Sequence, residues 1–272
     1  MRQWSDLQHL ESRTIGFVPT MGALHDGHLH LLKTSKNAND LTVLSIFVNP
    51  TQFNSPVDFD KYPRTIDEDL ALAESVGVDA VFAPSATEMY PQGFDTTIDP
   101  GSIAVGMEGE FRPGHFQGVA TVVVKLLNAT FPTRLYLGQK DYQQLAVLRQ
   151  VVTDLDIPVD VVPVETIRHS DGLAMSSRNT RLTAQHRKDA TIIHSALSRA
   201  VEIAREGEKS AENIRQVVHA TLAQASSCRV EYVSIVDARD LTPVSEIRKP
   251  VVVCVAAHFG EVRLIDNMVI EV

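Results

Sequence analysis

The sequence predicts an α/β fold: a doubly wound parallel sheet in an N-terminal domain, then a smaller α+β domain at the C-terminal end. Three observations carry this. Short apolar runs alternate with helical patterns through VDVVPVETI (159–167), the mark of strand–helix–strand units. Those runs are continuously apolar, which suits a sheet covered on both faces. After SSRNTRL the pattern changes to two helical stretches and then strand-like runs with short turns, which suits a small antiparallel sheet. A boundary near 176–182 divides the chain into 1–176 and 177–272.

Each element has its own signal. TIGFV (14–18) is a strand ended by Pro19, and LHLLKTSKNAND (29–40) reads as a helix. LTVLSIF (41–47) is a second buried strand. The Pro, Asn and Asp content of NPTQFNSPVDFDKYPR (49–64) predicts a loop. Thr65 and Glu68 have capping-box spacing at the start of the helix IDEDLALAESV. DAVFAP (79–84) is a third strand, and 85–116, rich in Gly and Pro, is expected to be irregular and functional. GVATVVVKLLNA resumes a helix, RLYLG (134–138) is a strand, and DYQQLAVLRQVVTDL is an amphipathic helix. Helices over about 183–206 and 210–225 precede EYVSIVDA, VVVCVAAHF, VRLIDN and MVIEV, each read as a strand.

Composition excludes several classes. The 272 residues are 44% apolar and 22% charged, ordinary for a soluble globular protein. With 25 basic and 34 acidic residues the net charge is -9, which disfavours a general nucleic-acid or anionic-membrane binder. Cys228 and Cys254 lack CxxC spacing, so no disulfide framework is expected. MRQWSDLQHL lacks the apolar core of a signal peptide, and VVVCVAA (251–257) is too short to span a bilayer. A cytoplasmic protein is expected.

PTMGALHDGH (19–28) follows a strand and opens a helix. The first turn of a helix offers unpaired N–H groups and a positive dipole end, which attract phosphate. Gly22 and Gly27 allow a ligand close to the backbone. His25 and His28 lie one turn apart, so both can donate to one anion. Two other readings stand beside this. HDGHLH packs three histidines and an aspartate into six residues, but HxxH supplies only two metal ligands. A helix start with incidental imidazoles is the third.

MSSRN (175–179) sets two hydroxyls beside a guanidinium, a compact phosphate grip or else a serine-capped interdomain turn. In GQKDYQQ (138–144), Gly138 ends a strand where open α/β sheets bind ligands. Lys140 can reach an anion, and Asp141 either caps the next helix or meets a ribose. Of Gln143 and Gln144, one faces the pocket, and Gln144 is the choice.

Strand, small-residue turn, HxGH and helix resemble the nucleotidyltransferase superfamily. PTMGALHDGH, SIFVNPTQF, YPRT, RPGHFQGVATVV, GQKDYQQ and DGLAMSSRN stand in the order seen in pantoate–β-alanine ligases, the pantothenate synthetase family. The resemblance is dense over 14–182. It implies a Rossmann-like first domain and a C-terminal lid hinged near Ser177–Arg181. The implied reaction has two halves: pantoate and ATP give pantoyl adenylate and pyrophosphate, then β-alanine gives pantothenate and AMP. A nucleotidyltransferase releasing a stable nucleotidyl product is the alternative.

The same resemblance implies site residues. ATP would be bound by Met21, Gly22, Ala23, Leu24, His25, Asp26, Gly27, His28, Gly138, Gln139, Lys140, Asp141, Ile167, Met175, Ser176, Ser177 and Arg178. His25, His28, Lys140 and Arg178 would be catalytic. Pantoate would meet Pro19, Thr20, Met21, Asn49, Gln52, His115 and Gln144, with Gln52 also meeting β-alanine and Arg112 nearby. Mg2+ would accompany ATP. Among the carboxylates of DED (67–69), Asp69 is the candidate ligand. The resemblance also implies a homodimer.

Overall fold

The structure, a computed structural model, describes residues 13–271. The polar N-terminal decapeptide read above lies outside them. The chain packs as two compact units. Among the described residues, one comprises 13–139 with Val147–Glu165, the other Lys140–Ala146 with 166–271.

The first unit is built on a parallel five-stranded sheet. Its elements run β1 (Ile15–Thr20), α1 (Asp26–Ala38), β2 (Leu41–Ile46), α2 (Pro56–Asp60), α3 (Ile66–Ser75), β3 (Ala80–Phe82), α4 (Ala86–Met89), α5 (Glu108–Phe111), α6 (His115–Thr130), β4 (Arg134–Gly138), α7 (Tyr142–Asp154) and β5 (Asp160–Val164). The strand order is β3-β2-β1-β4-β5. Phe17, Val18, Leu44 and Leu135 are fully buried, which accounts for the continuous apolar runs. Helix α1 lies close on β1, for a Cβ on Gly16 would stand 2.1 Å from Ser35 Oγ. Asn39, the C-cap of α1, donates to the Tyr136 hydroxyl of β4 at 2.7 Å, which satisfies a polar tip inside the core.

Several local expectations change. The expected loop 49–64 contains a 3-10 turn at Pro50–Gln52 and the helix α2. Asn49 and Ser55 cap them, each followed by Pro at the start of the turn, where a missing N–H costs nothing. Helix α3 starts after Thr65 as expected, but without the capping bond. The Thr65 hydroxyl donates to Asp69 instead, at 3.3 Å. The span 85–116 holds α4, a 3-10 turn at Gly101–Ala104 and α5, and α6 already begins at His115.

The second unit contains α8 (Ala184–Asp189), α9 (Ile192–Arg205), α10 (Ala211–Leu222), β6 (Cys228–Asp237), β7 (Val251–Phe259) and β8 (Val262–Ile270). Its antiparallel sheet has the order β6-β7-β8. The expected helix over 183–206 is two helices. VRLIDN and the start of MVIEV form one strand, because pairing with β7 runs unbroken from Val262 to Ile270. Strand β7 is central and buried almost throughout. Ile193 and Leu197 of α9, Ile214 and Leu222 of α10, and Val253 and Phe259 of β7 share one core. Among the described residues no helix is long and apolar enough to cross a membrane.

Candidate active site

In the first unit the connections run outward in opposite directions from β1 and β4, so the switch point of the sheet lies between them. The β1–β4 pairing covers Gly16–Arg134 and Phe17–Leu135. Thr20, at the carboxyl end of β1, is buried; its hydroxyl donates to the Ser45 carbonyl at 2.8 Å and accepts the Gly22 N–H at 3.2 Å. Gly138 ends β4. A Cβ there would meet no protein atom within 4 Å, and its φ lies outside the left-handed region.

Between β1 and α1 the backbone turns left-handed twice, at Gly22 (φ 81) and at Ala23 (φ 50). A glycine takes the first without cost, whereas alanine does so only when its surroundings hold it. Asp69 of α3 does the holding. Its Oδ2 accepts the Ala23 N–H at 3.0 Å and its Oδ1 the Leu24 N–H at 2.7 Å. The carboxylate is 1% exposed and fits against Gly22, where a Cβ would stand 2.8 Å from Oδ2.

Both Asp69 oxygens are thus engaged by backbone amides of the turn. Among the described residues no group of three or more His, Cys, Asp or Glu side chains is placed to hold a metal ion.

His25 is the N-cap of α1, with extended backbone. Its Nδ1 accepts the Gly27 N–H at 3.1 Å, while its own N–H donates to His28 Nδ1 at 3.3 Å. The two imidazoles thus form a reciprocal capping box, a task usually given to Ser and Glu. The ring centroids are 4.1 Å apart. An imidazole nitrogen that accepts a backbone N–H carries no proton, so in each neutral ring the proton sits on Nε2. The sequence motif becomes two Nε2–H donors beside the N-terminus of a 13-residue helix.

A second cluster surrounds Gln52, which is 8% exposed. Asn49 donates to its Oε1 at 2.9 Å, and its Nε2 donates to Met21 Sδ at 3.3 Å. His115 Nδ1 lies 2.8 Å from the Gln52 carbonyl, and Arg112 donates to that carbonyl at 3.4 Å. Helix α6 presses on the same backbone, since a Cβ on Gly118 would stand 2.5 Å from the Thr51 carbonyl oxygen and 2.8 Å from Gln52 N. Tyr90 donates to Asn49 Oδ1 at 2.7 Å. Burial pushes the Tyr90 phenol up, against a smaller opposing effect of Thr51, which keeps it a donor.

The structure therefore brings Met21, Asn49, Gln52 and His115 together. Sequence reasoning missed Asp69 as a loop clamp and missed Tyr90. The one signal for Asp69 was its place among three carboxylates in the first turn of the helix.

The second unit carries the remaining expected residues. Lys140 pairs with Asp141 at 3.4 Å. Gln143 is buried and Gln144 half-buried. Met175 donates its N–H to the Ile167 carbonyl at 3.0 Å. Ser176 Oγ accepts the Arg178 N–H at 3.3 Å and caps the 3-10 turn Ser177–Arg181. As an acceptor, that hydroxyl keeps its own hydrogen to donate.

Residues 1–269 match the family model described as pantoate-beta-alanine ligase. A pantothenate synthetase of Heliobacterium modesticaldum is 50% identical, over 100% of this chain and 97% of its own. The crystal structure of pantothenate synthetase from Thermus thermophilus is similar with a TM-score of 0.92 and 43% identity, covering 98% of each chain. A pantoate-beta-alanine ligase from Francisella tularensis, complexed with beta-gamma ATP and beta-alanine, is similar with a TM-score of 0.78 and 38% identity, covering 98% of this chain and 94% of that one.

Proposed function

This chain belongs to the pantoate-beta-alanine ligase family, and on that premise we propose how its residues divide the work. It is an ATP-dependent ligase that condenses pantoate with β-alanine in pantothenate biosynthesis.

The proposed route passes through an acyl adenylate. The pantoate carboxylate oxygen bonds to the α-phosphorus of ATP, and the bond to the bridging oxygen breaks, releasing pyrophosphate. The β-alanine amine then attacks the activated acyl carbon, AMP leaves with the acyl oxygen, and the amine loses its proton to solvent. Anion meets anion in the first step, so the site must supply donors.

The observation that carries this reading is the histidine capping box. Its geometry leaves a proton on Nε2 of both His25 and His28, beside a helix N-terminus reached through the left-handed turn at Gly22 and Ala23. These are fixed donors suited to the phosphates and to the charge that develops on leaving pyrophosphate. Lys140, Ser176, Ser177 and Arg178 are assigned to the same phosphates. Backbone from Met21 to His28, with Gly138, Gln139, Asp141, Ile167 and Met175, is assigned to the nucleotide. The open space at Gly138 supports this, since the strand itself does not demand a glycine there.

Gln52 and Gln144 are assigned to pantoate, with Pro19, Thr20 and Met21 beside them, and Gln52 also to β-alanine. Asn49 and His115 act through Gln52, whose amide and carbonyl they hold. Among the described residues the side chains offer no cage for a magnesium ion. Mg2+ is assigned only as the counter-ion that ATP brings on its own phosphate oxygens. The segment 177–272 is assigned the part of a lid that shields the adenylate from water.

A cytoplasmic homodimer completes the proposal. Both cysteines are free thiols, in keeping with a reducing compartment.

The deciding experiment is isotope exchange between pyrophosphate and ATP. Exchange that requires pantoate but not β-alanine, followed by AMP release when β-alanine is added, is the expected result. Exchange without pantoate, or exchange that appears only when β-alanine is also present, would overturn the adenylate route.

A further inference from the structure

Asp266 and Asn267 stand side by side on β8, in a part of the chain where the sequence singled out no site residue. Asp266 is 3% exposed. Its carboxylate accepts both arms of the Arg168 guanidinium, at 2.5 Å and 2.9 Å. Arg168 also donates to the Gly172 carbonyl at 3.1 Å and forms a β-bridge with Ala174. His194 closes the other side, for a Cβ on Gly172 would stand 2.1 Å from its ring. From this hairpin the chain passes directly into Ser176, Ser177 and Arg178. Asn179 ties the turn back, donating to the Ala174 carbonyl at 3.0 Å.

Asn267 reaches a different segment. Its Nδ2 donates to the Lys140 carbonyl at 2.8 Å. Tyr142 adds a second tie, from its hydroxyl to the Ala238 carbonyl at 2.8 Å. These bonds account for the membership of Lys140–Ala146 in the second unit, although most of α7 belongs to the first.

We propose that Asp266 and Asn267 are positioning residues that fix Lys140 and the Ser176–Arg178 turn in one register. The inference rests on the assignment of those residues to the ATP phosphates. A buried ion pair is a weak source of stability, because desolvation cancels most of its Coulombic gain. A two-armed Arg–carboxylate pair does fix orientation, and a side-chain amide on a backbone carbonyl fixes where a flexible lysine begins. Two adjacent residues of one strand thus hold both phosphate-binding segments, and a misplacement of about 1 Å in such a site costs up to about a hundredfold in rate.

The test is steady-state kinetics of the full-length enzyme with Asn267→Ala and Asp266→Asn, alongside Lys140→Ala and Arg178→Ala. Asn267→Ala removes the tie to Lys140 while leaving the Arg168–Asp266 pair intact, and serves if Asp266→Asn does not fold. The expected result is a rise in KM for ATP of roughly tenfold or more, unchanged KM for pantoate and β-alanine, and a parental melting temperature for Asn267→Ala. Parental KM for ATP in both variants would overturn the proposal. So would equal shifts in all three KM values with a lowered melting temperature, the signature of a merely structural role. If Lys140→Ala and Arg178→Ala both keep parental kinetics, the phosphate assignment itself fails, and the positioning role falls with it.

Discussion

The Asp69 carboxylate accepts the Leu24 N–H at 2.7 Å across 45 positions of sequence, and its other oxygen takes the neighbouring Ala23 N–H. One buried side chain thereby sets the path of the turn that delivers both histidines. Asp69→Asn replaces one acceptor with a donor facing an amide. The expected cost is about 2 kcal/mol of stability, with KM for ATP raised and pantoate binding unchanged. Thermal melts and ATP titration check this. A variant with a parental turn but weakened magnesium dependence would restore the metal reading.

Substitutions at His28 separate its two tasks. In His28→Asn the side-chain oxygen can still accept the His25 N–H, but nothing replaces the Nε2–H donor. In His28→Gln the amide reaches roughly to the Nε2 position. The expected result is near-parental stability for Asn with a loss of ~10²–10³ in kcat, and partial retention of rate for Gln. A parental rate in His28→Asn would assign His28 to capping alone.

Gly118→Ala tests how tightly the Gln52 segment, proposed to clamp pantoate, is set. The new methyl would press on the Thr51 carbonyl and on Gln52 N. Overpacking of this kind costs about 1–3 kcal/mol. A displaced Gln52 predicts a higher KM for pantoate, measured by the pantoate dependence of pyrophosphate exchange.

Stability should depend on pH through His194. Burial pushes its imidazole below the ordinary value of 6.5, Arg168 adds to this, and Asp266 opposes it. The unfolded chain therefore binds the proton more readily than the folded one. The stabilisation is complete above 6.5 and is lost as the pH falls below that toward the folded value. Melting temperatures recorded between about pH 7.5 and about pH 5 should fall with acid, and His194→Gln should flatten that slope.

The proposed lid predicts compaction on loading. Small-angle scattering with ATP and magnesium should give a smaller radius of gyration than the unliganded protein. An unchanged radius would remove the lid assignment.

The parallel strands were legible because burial on both faces leaves an unbroken apolar run, as in LTVLSIF. The HxGH turn was legible because its glycine and histidines are contiguous. The clamp role of Asp69 was not legible because its partners, Ala23 and Leu24, are distant in sequence. Thr65 was misread for a related reason: a nearby carboxylate outcompeted the helix amide that its hydroxyl was expected to cap. The short turns at Pro50 and Pro56 were visible as Asn-Pro and Ser-Pro, but the surrounding polar residues read as loop. The tie from Asn267 to Lys140 spans 127 positions and leaves no periodic trace.

Position 138 separates what the polypeptide needs in order to fold from what it needs in order to work. Neither the strand's dihedral angles nor any neighbouring atom asks for a bare hydrogen there. A methyl group at that point would pass every test of solubility and melting, yet on the nucleotide assignment proposed above it would intrude on the volume of a guest. Assays of folding are blind to such a residue, and only turnover reveals it.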